Sequence, residues 1–296
     1  MTRYIEAERG HFGVEPICRV LQVAPSSYYA ARIRAASARG QRDEALKAKI
    51  VQIHKAHFGV YGARKLWHQL RREGTSVARC TVERLMGQLN LKGVVRGRAR
   101  RTTIADETAP RPLDLVQRNF HPPAPNRLWV ADLTYVRTWS GFAYTAFIID
   151  AFSRYIVGWH VSRSLQADLV LTALEQALWA REGPFDGLVH HSDRGVQYVS
   201  IRYTERLQEA GIATSVGSRG DSYDNALAET VNGLYKTELV YRRGPWRGRE
   251  DLELATLEWV DWFNNRRLFA SLGYVPPSEY EASTLAGLVP AGAGTQ

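Results

Sequence analysis

Three stretches between residues 128 and 162 leave this chain little choice of architecture. Residues 128–138, 142–152 and 155–162 are dense in Val, Ile, Tyr, Phe and Thr, and only Ser140-Gly141 and Ser153-Arg154 stand between them as turn residues. β-Branched and aromatic side chains fit a pleated surface, so the spacing predicts three consecutive strands joined by tight turns, an antiparallel meander. After residue 166 the period changes. Residues 167–181 put Leu169, Ala173, Leu174, Ala177 and Leu178 on one helical face, 188–191 is a short buried strand, 201–210 a second helix and 212–216 a fifth strand. The segment 217–222 that follows has the composition of a mobile loop. One more helix runs through Glu229 and is expected to fray or end near Glu238, where a carboxylate falls close to the apolar stripe. A last helix, 249–268, would carry Leu254, Leu257, Trp262 and Phe263, its aromatics serving as core.

Upstream of residue 96 the readable periodicity is helical. Residues 14–34 predict two short helices about a turn at Pro25, with Ile17, Val20 and Leu21 on one face and Ser26-Ser27 as an N-cap. This pair is a degenerate helix-turn-helix or a plain helical hairpin. Residues 35–42 form a connector. Then come a helix around Ile50 and Ile53, a turn at Phe58-Gly59-Val60-Tyr61-Gly62, a helix over 63–72 and another over 77–89 bearing Val82, Leu85, Met86 and Leu89. Arg64, Lys65, Arg79 and Arg84 lie largely off the apolar stripes and are candidate DNA contacts. Arg98, Arg100 and Arg101 follow in a basic run suited to sequence-independent phosphate attraction. Five prolines between residues 102 and 126 mark a linker, interrupted by a short helix around 113–120.

Charge divides the chain in the same place. Residues 1–112 hold 22 Lys/Arg against 9 Asp/Glu, and the remainder 17 against 21. A polyanion-binding front and a carboxylate-bearing rear both suit DNA. No apolar run is long enough for a membrane span, and the first residues are too polar for a secretory signal. Cys18 and Cys80 are too isolated for a zinc knuckle or a disulfide framework and are expected as buried thiols in a reducing cytoplasm. His54 and His57 have no cysteine pair to complete a zinc site and are expected at the surface or in a groove.

Three carboxylates carry the chemistry. Asp132 and Asp193 each lie on or just after an apolar, β-branched run, and Glu229 lies on a helix with 35 residues between it and Asp193. At about 100° per residue, Leu227, Val231 and Leu234 share one stripe while Asn225, Glu229, Asn232 and Lys236 cluster opposite. Two strand carboxylates and one helix carboxylate can converge on hard cations, which take oxygen ligands and leave positions for phosphate. Asp150, at the end of the apolar run Ile148-Ile149, competes for the first of these positions.

Several blocks together resemble a known family. Asp132-Leu133-Thr134-Tyr135, Phe152-Ser153-Arg154, His191-Ser192-Asp193-Arg194-Gly195-Val196-Gln197-Tyr198, Asp224-Asn225-Ala226, Lys236-Thr237-Glu238, Phe263-Asn264-Asn265-Arg266-Arg267 and Leu272-Gly273-Tyr274 occur in the order of the DDE transposase and retroviral-type integrase core. The match is nearer to second-frame transposases of IS-three-type insertion sequences and extends to about Tyr280. Phe269 departs from the pattern, standing where a histidine is usual.

The resemblance implies an α/β fold, a ribonuclease H-like catalytic core with a mixed five-stranded sheet and flanking helices, preceded by an all-helical helix-turn-helix region. The division it implies is an N-terminal helical segment 1–44, a helix-turn-helix domain 45–95, a linker 96–126, a catalytic core with its C-terminal helix 127–282, and a flexible tail 283–296. Asp132 takes precedence over Asp150 on the family pattern. Asp132, Asp193 and Glu229 would hold two Mg²⁺ or Mn²⁺ ions, Lys236 and Asn232 would contact DNA near the scissile phosphate, and His191, Ser192, Gln197, Asp224 and Asn225 would support them. The resemblance further implies strand cleavage and strand transfer at element ends, double-stranded DNA as end and target, and a homo-oligomer on DNA. A first-frame helix-turn-helix and leucine-zipper protein would be partner or fusion, and the setting a bacterial cytoplasm and nucleoid. The competing readings are a ribonuclease H-like nuclease without strand transfer and a catalytically silent DNA-binding regulator.

Overall fold

The computed structural model describes residues 1–33, 37–95, 122–192, 200–216 and 226–287. Two compact units divide the chain, 1–52 and 53 onward. In the first, α1 (Thr2–Phe12), α2 (Val14–Val20) and α3 (Pro25–Ile33) close around Ile5, Ile17, Cys18 and Tyr28. Val20, expected inward, is 82% exposed, because the core uses the Ile17–Cys18 side of its helix. α3 begins at Pro25, a residue whose fixed φ suits the first helical position, so Ser26 and Ser27 lie inside the first turn and not at the cap. α4 (Ala38–Ala56) takes in most of the expected connector, since its Ala, Arg and Gln are good helix formers.

In the second unit, α5 (Ala63–Arg72) and α6 (Arg79–Gln88) pack together through Leu66, Leu70, Val82, Leu85 and Met86. The Trp67 indole N–H donates to the Val77 carbonyl at 2.8 Å and ties α5 to the segment leading into α6. Of the two cysteines Cys18 is buried, but Cys80 is exposed at the start of α6. His57, expected at the surface or in a groove, is buried, stacked on Tyr61 with 4.1 Å between ring centres, and accepts from the Trp262 indole at 3.0 Å.

The sheet has strand order β3-β2-β1-β4-β5. β1 (Leu128–Thr138), β2 (Gly141–Asp150) and β3 (Ile156–Ser162) form the antiparallel meander; β4 (Val189–Ser192) adds parallel to β1, and β5 (Ala213–Val216) parallel to β4. α7 (Ala167–Arg181) and α8 (Ile201–Glu209) cover one face over a core of Trp129, Ala131, Ala146, Ile148, Leu174 and Leu207. A side chain at Gly158 would meet the Ala173 carbonyl at 2.1 Å, so this strand position must be glycine for α7 to lie so close. The other face receives α9 (Ala226–Tyr235) and α11 (Arg249–Asn265), with a π-helical turn at Lys236–Val240 and the short α10 (Tyr241–Arg243) between them in the chain. The helix therefore does not end at Glu238. It widens there, and Glu238 is buried.

α11 turns Leu252, Ala255, Trp259, Trp262 and Phe263 inward. Leu254 and Leu257 were expected there too but are 62% and 53% exposed, because the ridge that meets the sheet is the one with the larger aromatics. α12 (Pro277–Leu285) carries residues 283–285, expected in the tail, as helix; 288–296 lie outside the described residues, as do the expected loop 217–222 and the helix expected around 113–120. No helix among the described residues is long and apolar enough to cross a membrane.

Candidate active site at the edge of the sheet

Asp132 lies on β1, paired with Phe147 of β2. Among the described residues β4 pairs with β1 from Leu128↔Val189 to Ala131↔Ser192, and Asp132 is the next residue along β1. One oxygen, Oδ1, accepts from the backbone N–H of Leu133 at 2.8 Å, and Oδ2 accepts from the Asn232 amide Nδ2 at 2.9 Å. The carboxylate is half-buried.

α9 reaches Asp132 because its inward ridge is anchored. Ala228, Val231 and Tyr235 are buried; the Tyr235 ring lies against Phe147 and Trp259, and its hydroxyl is 2.7 Å from Thr256 Oγ1. Leu227 and Leu234, expected to form the buried stripe, are only partly covered, and Asn232, expected on the opposite face, is 8% exposed. The ridge is thus rotated from the one the apolar residues suggest, because the small Ala228 lets the helix sit close and the Tyr235 hydroxyl finds partners. Glu229 lies one turn before Asn232 and is exposed; Lys236 lies one turn after it. The Lys236 ammonium is 4.9 Å from the centre of the Tyr135 ring. Burial lowers its pKa and the charge of Asp132 opposes that shift.

Asp193 lies outside the described residues, as do Gln197, Asp224, Asn225, Arg98, Arg100 and Arg101. Among the described residues no three His, Cys, Asp or Glu side chains gather as metal ligands. Ser192 and His191 are buried on β4, with His191 Nδ1 2.9 Å from Ser215 Oγ on β5. Arg64 and Arg79 are exposed, Arg79 beside Glu83 at 3.2 Å, and Arg84 is half-buried. Lys65 turns the other way: its ammonium lies 5.4 Å from the Tyr61 ring centre and 5.9 Å from that of Phe269, and burial pushes its pKa down to about 7.

Asp150, the competing carboxylate, is fully buried and consumed by its own turn. Oδ1 accepts from the N–H groups of Phe152 and Ser153 at 2.9 and 3.1 Å, and Oδ2 from the N–H of Asn126 at 2.7 Å. It fastens the β2–β3 connection. Asn232 was expected at DNA, and its amide bond to Asp132 was not anticipated; the only trace in the sequence is its place three residues after Glu229.

Known proteins share this layout. The integrase core domain family matches residues 122–222 and, in a second description, 210–277; the HTH-like domain family matches 41–99. A putative transposase for insertion sequence element IS986/IS6110 from Mycobacterium tuberculosis (strain ATCC 25177 / H37Ra) is 61% identical over 267 residues, 89% of this chain and 96% of the relative. The chain belongs to the insertion-sequence transposases. The transposase for element IS629 of Shigella sonnei is 52% identical over 293 residues, covering 97% and 98% of the two chains. That for IS3411 of Escherichia coli is 49% identical over 189 residues, 62% of this chain and 78% of its own. The fold is therefore a ribonuclease H-like integrase core behind a helical HTH-like region, and the enzyme class that of the metal-dependent DDE polynucleotidyl transferases.

Proposed function

We propose that the chain cleaves DNA strands at insertion-sequence ends and transfers the freed ends to target DNA, with Asp132, Asp193 and Glu229 as its catalytic carboxylates. The observation that carries this reading is the hydrogen bond from Asn232 to Asp132, which brings the turn of α9 bearing Glu229 to the strand bearing Asp132. Ser192 of β4 pairs with Ala131 of β1, and Asp193 and Asp132 are the residues that follow them in sequence.

The donor set fits hard divalent cations. It is carboxylate oxygen, without cysteine, and the Asn232 Oδ1 beside Asp132 is a buried acceptor with no partner among the described residues. The three carboxylates would hold two Mg²⁺ or Mn²⁺ ions, which when bound supply an activated oxygen nucleophile and charge stabilisation at the leaving oxygen. The remaining work falls to the chain itself. The Asn232 amide fixes the rotamer of Asp132 and holds one of its oxygens in place. Lys236 puts positive charge where a phosphate backbone would pass, and Tyr135 limits where its ammonium can go. His191 and Ser192 steady the end of β4, with Gln197, Asp224 and Asn225 assigned to the same support.

Double-stranded DNA is then both end and target. Arg64, Arg79 and Arg84 contact it from the helix-turn-helix, and Arg98, Arg100 and Arg101 hold phosphates from the linker; Lys65 serves by seating α5. The functional division follows 1–44, 45–95, 96–126, 127–282 and 283–296, with the chain working as an oligomer on cytoplasmic DNA beside a first-frame helix-turn-helix and zipper protein. The test is a strand-transfer assay with paired end oligonucleotides and Mg²⁺. Asp132→Asn, Asp193→Asn and Glu229→Gln should each abolish cleavage and joining while leaving DNA binding nearly intact. Undiminished cleavage by any of them removes it from the site, and hydrolysis without a joined product by the unaltered chain replaces this reading with a plain nuclease.

A further inference from the structure

Strand alternation predicts that the β1–β2 hairpin has two unlike faces, and it does. Thr134, Val136 and Thr138 point to the side of α9 and are buried. Tyr135 and Arg137 point to the other side, and the register Tyr135↔Tyr144 and Arg137↔Phe142 puts Phe142 on that same side. Here no described helix covers the sheet. Tyr135 is 59% exposed, Phe142 52% and Trp139, at the two-residue tip, 73%.

Exposed aromatics on a fraying hairpin would mean little, but this tip is pinned. The N–H of Trp139 donates to the Trp246 carbonyl at 2.9 Å, that of Ser140 to the Arg247 carbonyl at 3.3 Å, and Thr138 Oγ1 donates to the Gly141 carbonyl at 2.7 Å. Tyr135 and Phe142 hold each other edge to face, 5.7 Å between centres. Rigid aromatic side chains left in water on a fixed backbone are the composition of a binding surface.

Charge selects the occupant. From Leu133 to Ile149 there is no acidic residue, Arg137 is exposed on the same side of β1 as Tyr135, and Lys236 touches Tyr135. A polyanion with flat apolar faces satisfies all of this. Paired bases hide those faces inside the duplex; unpaired bases offer them. We propose that Tyr135, Phe142 and Trp139 form a stacking platform for unpaired bases of the DNA strand whose phosphates pass Lys236. The inference rests on the reading of the site given above and adds to it that the strand arrives locally opened.

The test compares binding of the full chain to two probes, a blunt duplex and the same duplex carrying a short unpaired tail, by fluorescence anisotropy. The unaltered chain should prefer the tailed probe. Phe142→Ala and Trp139→Ala, at exposed positions, should keep the melting temperature and each weaken tailed-probe binding by roughly tenfold to a hundredfold while changing blunt binding little. Tyr135→Ala, which also frees Lys236, should weaken binding of both probes, the tailed one more. Tyr135→Phe should restore the preference. Equal binding of both probes by the unaltered chain, or an unchanged preference in all three alanine variants, overturns the platform. So does a fall in sedimentation mass without DNA alongside an unchanged preference, which assigns the face to a second copy of the chain. Asp132→Asn keeps the platform intact, so active Asp132→Asn protein would remove the site reading while the probe preference stood.

Discussion

Glu229 and Glu238 lie on one continuous helical run, nine positions apart, and meet opposite fates. Glu229 is exposed on the first turn of α9, one turn before the Asn232 amide that bonds Asp132. Glu238 is 3% exposed and clasped by Arg267, whose Nε donates to its Oε2 at 2.9 Å. Around that pair the chain is closed: the Arg267 guanidinium lies 4.2 Å from the centre of the Phe269 ring, Lys65 approaches the same ring, and the Tyr61 hydroxyl donates to the Arg266 carbonyl and accepts from the N–H of Leu268. A carboxylate buried against an arginine holds structure. One exposed on the turn before an amide that holds an aspartate can be reached from solvent. Residue type does not separate them; burial does.

The sharpest way to break this contrast is to remove each charge in turn. Glu229→Gln should lower the cleavage rate by about a thousandfold or more, which is about 4 kcal/mol of barrier, with no change in melting temperature. Glu238→Gln should do the reverse. Leaving Arg267 buried without its partner is expected to cost about 3–5 kcal/mol of stability, read by denaturant unfolding, with cleavage per folded molecule retained. A Glu238→Gln protein as stable as the parent but inactive would move Glu238 into the catalytic machinery. Replacing both partners, Glu238→Leu with Arg267→Met, should recover most of the lost stability, because apolar groups of similar size avoid the burial of charge.

The same pair shows where the sequence stops being legible. The meander, the helix over 167–181 and the helices flanking residue 74 follow from local period and turn chemistry, and β1, α5 and α7 fall on the residues the pattern marks. The order of short blocks from Asp132-Leu133-Thr134-Tyr135 to Leu272-Gly273-Tyr274 likewise announced an integrase core. What local pattern could not supply was set from far along the chain. A carboxylate on an apolar stripe looks like a helix end, yet Arg267, 29 residues on, neutralises it and the helix widens to a π turn. Asn232 resembles a surface amide until Asp132, 100 residues earlier, turns it inward. Leu254 and Leu257 have the right hydropathy for a core that Trp259 and Trp262 had already filled. Phe269, the departure from the family pattern, gives two cations an aromatic seat in place of a titratable ring.

Acid should find the closed region before the open one. Burial holds the His57 pKa at about 4 and that of His190, whose Nε2 is 3.0 Å from the Tyr203 hydroxyl, at about 3. Both lie below the unfolded value near 6.5, so between those limits the unfolded chain binds more protons and stability falls as pH drops through 6.5 toward 4. At full loss His57 contributes about 3 kcal/mol and His190 about 5, each complete only below its folded value. Measured by denaturant unfolding at a series of pH values, His57→Phe should flatten the slope. An unchanged slope would mean that His57 is open to water and that the region around it is not closed.

The smallest expected effect marks the far end of the comparison. Arg202 and Asp168 join α8 to α7 at 2.8 Å, a distance as short as those inside the Glu238 cluster, but their side chains are 68% and 67% exposed. Water solvates both partners before and after the contact forms, and ordering two long side chains offsets the attraction. Arg202→Ala should therefore change unfolding free energy by less than about 0.5 kcal/mol, and raising the salt concentration should shrink even that. If it instead cost as much as Glu238→Gln, short distance alone would govern these pairs, and the inference from burial to role at Glu229 and Glu238 would lose its basis.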